Sequence, residues 1–142
     1  MSKIVYHGTF SDEPPHEYGG TFHAGTYEAA NDRLDEAEEV GGIATIHEYE
    51  ISDDAPTSRI VWADPYDHPD EGPNVVPEYN QKRIYPYRNS VEDKGSISYV
   101  IPTGFVGKHV KHLGPQFQEP RGEGGKAIMS AVSTMVGGPF KK

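Results

Sequence analysis

Tyr87-Arg88-Asn89-Ser90-Val91-Glu92-Asp93-Lys94-Gly95-Ser96-Ile97-Ser98-Tyr99-Val100-Ile101 is the most informative stretch of the chain. Ile97 to Ile101 is a short run of β-forming residues that follows Gly95-Ser96, and reads as a strand. Lys82 to Tyr87 reads as the strand before it, with Arg88 to Ser96 as the connection. That connection carries two adjacent acids, Glu92 and Asp93. Such a pair can do acid–base work, although neighbouring carboxylates in a turn are ordinarily just solvated.

Working toward the N-terminus, Arg59-Ile60-Val61-Trp62 reads as a further strand. Residues 63–80 hold Pro65, Pro69, Pro73 and Pro77 among five acids, a combination that regular structure excludes. A loop of that length in a compact domain is usually functional or mobile. Ile43 to Ile51 alternates, placing Ile43, Thr45, His47, Tyr49 and Ile51 on one face of a half-buried strand. Before it stands the best helix in the sequence, over about 26–40. Thr26 is placed as its N-cap, Tyr27, Ala30, Leu34 and Ala37 repeat at helical spacing, and Gly41-Gly42 stops it. Ile4-Val5-Tyr6 is a first strand that leads through His7-Gly8-Thr9 into a loop with Pro14, Pro15 and Gly19-Gly20.

The composition narrows the function classes. The chain has 142 residues, about one domain's worth, and a hydrophobic fraction of 35%, enough for one modest core. Lys+Arg number 13 against 22 Asp+Glu, a net charge of −9, which argues against nucleic acid and against an anionic membrane as partners. No stretch approaches the ~20 apolar residues of a membrane span, and the N-terminal residues do not form a charged-then-apolar leader. With no cysteine there are no disulfides and no thiolate chemistry. The expected location is the cytoplasm. Residues 113–142 differ in character: a Gly-rich linker leads to a narrow apolar stripe at 127, 128, 131, 132, 135 and 136. This predicts a domain over 1–112 and a tail over 113–142 with a short amphipathic helix at about 126–136.

The sequence carries few signs of metal, nucleophile or phosphate chemistry. His109 and His112 are three apart but are interleaved with Lys108 and Lys111, which repel a cation, and no metal is expected. A Gly-x-Ser-x-Gly elbow and a phosphate-binding glycine loop are both absent from the sequence.

Three segments, in order, resemble the motifs of ADP-ribosyltransferases of the poly(ADP-ribose) polymerase and diphtheria-toxin type. Tyr6-His7-Gly8-Thr9 is similar to their first-strand motif. Gly20-Thr21-Phe22-His23-Ala24, with Tyr27-Glu28-Ala29-Ala30 opening a helix, looks like the second. The stretch from Tyr87 to Ile101 is similar to the ending of ADP-ribosyltransferase-like domains common in phage and mobile-element proteins, and Phe105-Val106 with Val110 match the short closing strand. The resemblance covers roughly residues 4–112. It implies an α+β fold of small, mostly antiparallel split sheets with one main helix, and NAD as substrate.

The resemblance also implies roles. His7, with Gly8 backbone and the Thr9 hydroxyl, would hold the ribose and the carboxamide. Phe22 would stack on nicotinamide, Tyr27 would form a second aromatic wall, and Ser96 and Tyr99 would line the cleft. Ser98 stands where active relatives place the catalytic Glu, so the carboxylate must come from elsewhere: Glu92, or else Glu48 or Glu50. The implied function is a small, phage-encoded transferase of ADP-ribose to a host protein, acting in the host cytoplasm. The alternative is a non-catalytic protein of the same fold, a virion component or an inhibitor of a host enzyme.

Overall fold

The computed structural model describes residues 2–11, 13–17, 19–36, 42–63 and 81–121. Among these, strands β1 (Lys3–Thr9), β2 (Thr21–Ala24), β3 (Gly42–Ile51), β4 (Tyr85–Arg88), β5 (Ile97–Pro102) and β6 (Val110–Arg121) accompany one α-helix, α1 (Tyr27–Glu36). Short 3-10 turns lie at Pro15–Glu17 and Thr103–Phe105. None of the described helices is long and apolar enough to cross a membrane.

The strands form two three-stranded antiparallel sheets. The first has the order β1-β3-β6 and the second β2-β5-β4. The long alternating strand β3 is therefore central, buried on two faces rather than one. Ala44 and Ile46 on one face pack under α1 with Ala30 and Leu34. On the other, Tyr49 and Ile51 join Val5, Phe22, Ala24, Ile84 and Ile101 in the main core between the sheets. Burying both faces explains why the strand keeps apolar or small residues at consecutive positions.

Gly8 is fixed by the helix above it. A Cβ there would run into the Ala30 carbonyl oxygen and come within 3.0 Å of Leu34 Cγ. Glycine is what lets α1 lie directly on β1. The helix starts where the sequence places it, with the Ala29 amide donating to Thr26 Oγ1 at 3.0 Å. Its described residues end at Glu36.

Three expectations change. Strand β6 runs without a break through position 112, pairing from Val110 opposite Ile51 to Arg121 opposite Gly42. Residues 113–121 thus belong to the first sheet and not to a separate tail. Register shifts on either side of the His47–Pro115 and Glu48–Gly114 pairs leave Gln116 and Leu113 as the extra residues of β6, so the strand runs through the Gly114-Pro115 pair that disguises it in the sequence. Phe105 lies in the 3-10 turn and Val106 makes only an isolated bridge to Val110, so the closing strand begins later. The stretch from Arg59 to Trp62 is not a regular strand; Thr57 and Trp62 each make a single bridge, to Ile84 and Tyr87. The proline-rich segment 64–80 and the helix expected at about 126–136 lie outside the described residues.

Candidate functional site

Besides packing face to face over the core, the two sheets are joined through the backbone where β1 meets the end of β2. Tyr6 and Gly25 exchange both backbone hydrogen bonds, Tyr6 N–H to the Gly25 carbonyl at 2.7 Å and Gly25 N–H to the Tyr6 carbonyl at 2.9 Å. Beside this bridge lies a narrow cleft bordered by His7 and Gly8 of β1, His23 of β2, Arg33 of α1, Glu92 of the β4–β5 loop and Ser98 of β5. Its volume is about 20 Å³, room for a single water.

His7 is buried, and its Nδ1 faces the backbone carbonyl of His23. A carbonyl only accepts, so Nδ1 carries the proton and Nε2 holds the lone pair. Burial pushes the His7 pKa down to about 3, opposed in part by that hydrogen bond. The imidazole is neutral at physiological pH and acts as a fixed acceptor, the form suited to receiving a hydroxyl hydrogen bond. His23 in turn meets the Tyr87 hydroxyl at 2.8 Å through Nδ1.

The β4–β5 loop is organised by Asn89, which is buried. Its side-chain oxygen accepts from the amides of Val91 (3.0 Å) and Glu92 (2.8 Å). Its side-chain nitrogen donates to Ser98 Oγ at 3.0 Å. The loop also needs left-handed backbone at Asp93 (φ 44°) and Gly95 (φ 90°). It is bolted to the helix: Thr26 Oγ1 donates to Asp93 Oδ2 at 2.7 Å, and the Asp93 amide donates to Asp32 Oδ2 at 2.8 Å. These bonds carry Glu92, the next residue back, to the cleft.

Of the residues singled out from the sequence, the fold brings His7, Gly8, Glu92 and Ser98 together. Ser98 is buried against Gly25, where a Cβ would meet its hydroxyl, and that hydroxyl already serves Asn89. The remaining candidates go elsewhere. Thr9 accepts the Ser11 amide through Oγ1 at 3.0 Å in a local turn. Phe22 is a core residue, its ring 5.0 Å from that of Tyr49, and is not a wall of the cleft. Tyr27 sits half-exposed on α1, edge-on to Tyr6 at 5.3 Å. The Ser96 hydroxyl is buried away from the cleft without a hydrogen-bond partner.

Tyr99 follows Ser98 on the strand and so projects from the opposite face. It packs on the main core, with Lys3 Nζ 5.5 Å from its ring centre. Between the alternative carboxylates, Glu48 pairs across from Tyr6 and Glu50 accepts from the Ser2 hydroxyl at 2.6 Å. Neither borders the cleft.

His23, Arg33, Tyr87 and Asn89 complete the site and were not singled out from the sequence. Alternation gives a signal for one of them, since His23 lies between the core residues Phe22 and Ala24 and must face away from them. A second grouping was also missed: His16, His47, His112 and Tyr49 converge on the other side of the first sheet's centre. His109 is not paired with His112 but turns its ring against Phe105 at 5.0 Å. Among the described residues, no set of three His, Asp or Glu side chains is arranged to hold a metal ion. Comparisons with protein-family models, curated proteins and solved structures give no match to this chain.

Proposed function

We propose that this chain is a small ADP-ribosyltransferase-like protein that binds NAD at the seam between its sheets and transfers ADP-ribose to a host protein. The observation that carries this reading is the convergence of His7, Glu92 and Ser98 at one cleft, from segments far apart in the chain. In the reaction the bond from ribose C1′ to the nicotinamide nitrogen breaks, and its electron pair leaves with nicotinamide. The ribose is left as an oxocarbenium-like cation, which a nucleophilic side chain of the acceptor captures with loss of its proton.

Stabilising that cation calls for a negative charge held close to the ribose. Glu92 is the carboxylate at the cleft and takes this role in place of Ser98, which is uncharged. Neutral His7 accepts a ribose hydroxyl. The cleft's volume of about 20 Å³ does not admit a nicotinamide ring. Binding therefore includes an outward movement of the Arg33 and Glu92 side chains at its rim.

The alternative, a non-catalytic binding protein of the same fold, draws on one observation: Ser98 is engaged by Asn89 in a buried hydrogen bond. Nicotinamide release from NAD, measured with purified protein with and without a bacterial lysate, separates the two. Wild-type release that drops at least about a hundredfold in Glu92→Gln, with the fold intact, supports the transferase. No release in either condition, or release unchanged in Glu92→Gln, overturns it.

A further inference from the structure

Away from the cleft, three histidines from three different elements meet. His47 of β3 and His112 of β6 lie with Nδ1 and Nε2 3.1 Å apart. The His16 ring, from the 3-10 turn between β1 and β2, is 4.9 Å from that of His112. His16 Nδ1 also meets the Tyr49 hydroxyl at 2.8 Å, and the Tyr49 ring is 4.9 Å from His112. Among the described residues, the other titratable groups that act on the cluster or face it are Glu17 on the 3-10 turn and His7, which lies opposite His47 across the β1–β3 pair.

A contact between two imidazole nitrogens has a strict proton requirement: one donates and the other offers a lone pair. One added proton can be shared, but a second leaves two N–H groups facing each other at that distance. His47 is buried in the central strand, which leaves its ring little room to turn away. His112 and His16 are only half-buried and therefore reachable by solvent. Charge on His16 and His112 is felt by His47 in this geometry, and among the described residues Glu17 offsets it at His16 and His112.

We propose that His16, His47, His112 and Tyr49 form an acid-released latch, which holds the 3-10 turn Pro15–Glu17 of the β1–β2 connection on the first sheet at neutral pH and frees it under mildly acidic conditions. The latch controls the piece of chain that links Thr9, at the end of β1, to the start of β2. Burial already biases all three histidines toward the neutral, latched form. Acidification supplies the like charges that push His16, and the 3-10 turn that carries it, away from His47 and His112. Because the connection joins two strands that border the cleft, its release alters the cleft's edge without unfolding the sheets.

Hydrogen–deuterium exchange of the full chain at pH 7.5 and pH 4.5, corrected for intrinsic rates, tests this. Protection of peptides covering residues 10–20 is expected to fall at least about tenfold on acidification, while peptides of β3 stay at least about tenfold better protected than these at both pH values, the mark of a local opening. In the double variant His16→Gln/His112→Gln, which keeps hydrogen-bonding groups without titrating, the drop is expected to shrink to about threefold or less. Equal protection of residues 10–20 at both pH values in the wild type overturns the latch, as does an undiminished drop in the double variant. Should the double variant not fold, histidine proton NMR of the wild type decides. Linked titration of His47 and His112, both below the ordinary ~6.5, supports the latch, and independent titration near that value overturns it.

Discussion

The Thr26 hydroxyl donates to the Asp93 carboxylate at 2.7 Å while accepting the Ala29 amide at 3.0 Å, so one side chain both starts the helix and fastens the β4–β5 loop. The residue next to Asp93 is Glu92, the acid at the cleft. Capping and the placement of that acid are thus a single structural event.

Replacing Thr26 by Ala removes both bonds. Loss of the cap alone costs about 1 kcal/mol, and the Asp93 carboxylate loses its donor as well. The expected result in urea denaturation is a loss of about 1–3 kcal/mol. Thr26→Ser keeps both bonds and is expected to stay within about 0.5 kcal/mol of the wild type. Equal destabilisation by Ala and Ser would show that the hydroxyl is not responsible.

Ser98 offers a sharper probe of the cleft's interior. Ser98→Ala leaves the buried Asn89 side-chain nitrogen without its acceptor, a loss of about 1–3 kcal/mol. Ser98→Glu, which restores the acid expected from the resemblance, is expected to be worse still. The longer side chain must fit between Gly25 and Asn89, and its charge enters a buried position. Thermal melts that rank wild type above Ala above Glu agree with this packing. A Glu variant as stable as the wild type would refute it.

The pH dependence of stability follows from two buried imidazoles. Burial holds His7 at about 3 and His47 at about 4. In the unfolded chain both titrate near ~6.5. Between these limits unfolding takes up a proton at each site, so stability is fully present above ~6.5 and is lost as the pH falls toward 4. With two protons taken up, the slope approaches about 2.7 kcal/mol per pH unit. Urea midpoints at pH 7.5, 6.0 and 5.0 should fall in that order, and His47→Asn should roughly halve the slope. A midpoint independent of pH would mean that neither ring is held neutral.

Local signals in the sequence were legible where one residue decides an outcome. Thr26 caps the helix, the alternation of β3 gives its span, and Gly95-Ser96 marks where β5 begins. The site was harder to read because it mixes faces. Ser98 and Tyr99 are neighbours in sequence, but the pleat sends one to the cleft side and the other to the core, so a run of adjacent residues cannot all line one cleft. Phe22 looks like a stacking ring until β2 is seen to lie beside β5, with Phe22 opposite Ile101 and pointing inward. Strand β6 hid behind Gly114, Pro115 and Pro120, residues that signal a break but are accommodated at an outer strand with shifted register. The histidine cluster draws on residues 16, 47 and 112, whose meeting only the tertiary fold can establish.

The bond pair between Tyr6 and Gly25 is made entirely by main-chain atoms. Side chains along the cleft can therefore be exchanged without loosening the joint that holds its two walls at a fixed separation. The demand on sequence at that joint is steric, the missing Cβ of Gly25, and not chemical. The frame of the cleft is thus set apart from the side chains that line it, and substitutions on the rim leave the spacing of its walls unchanged.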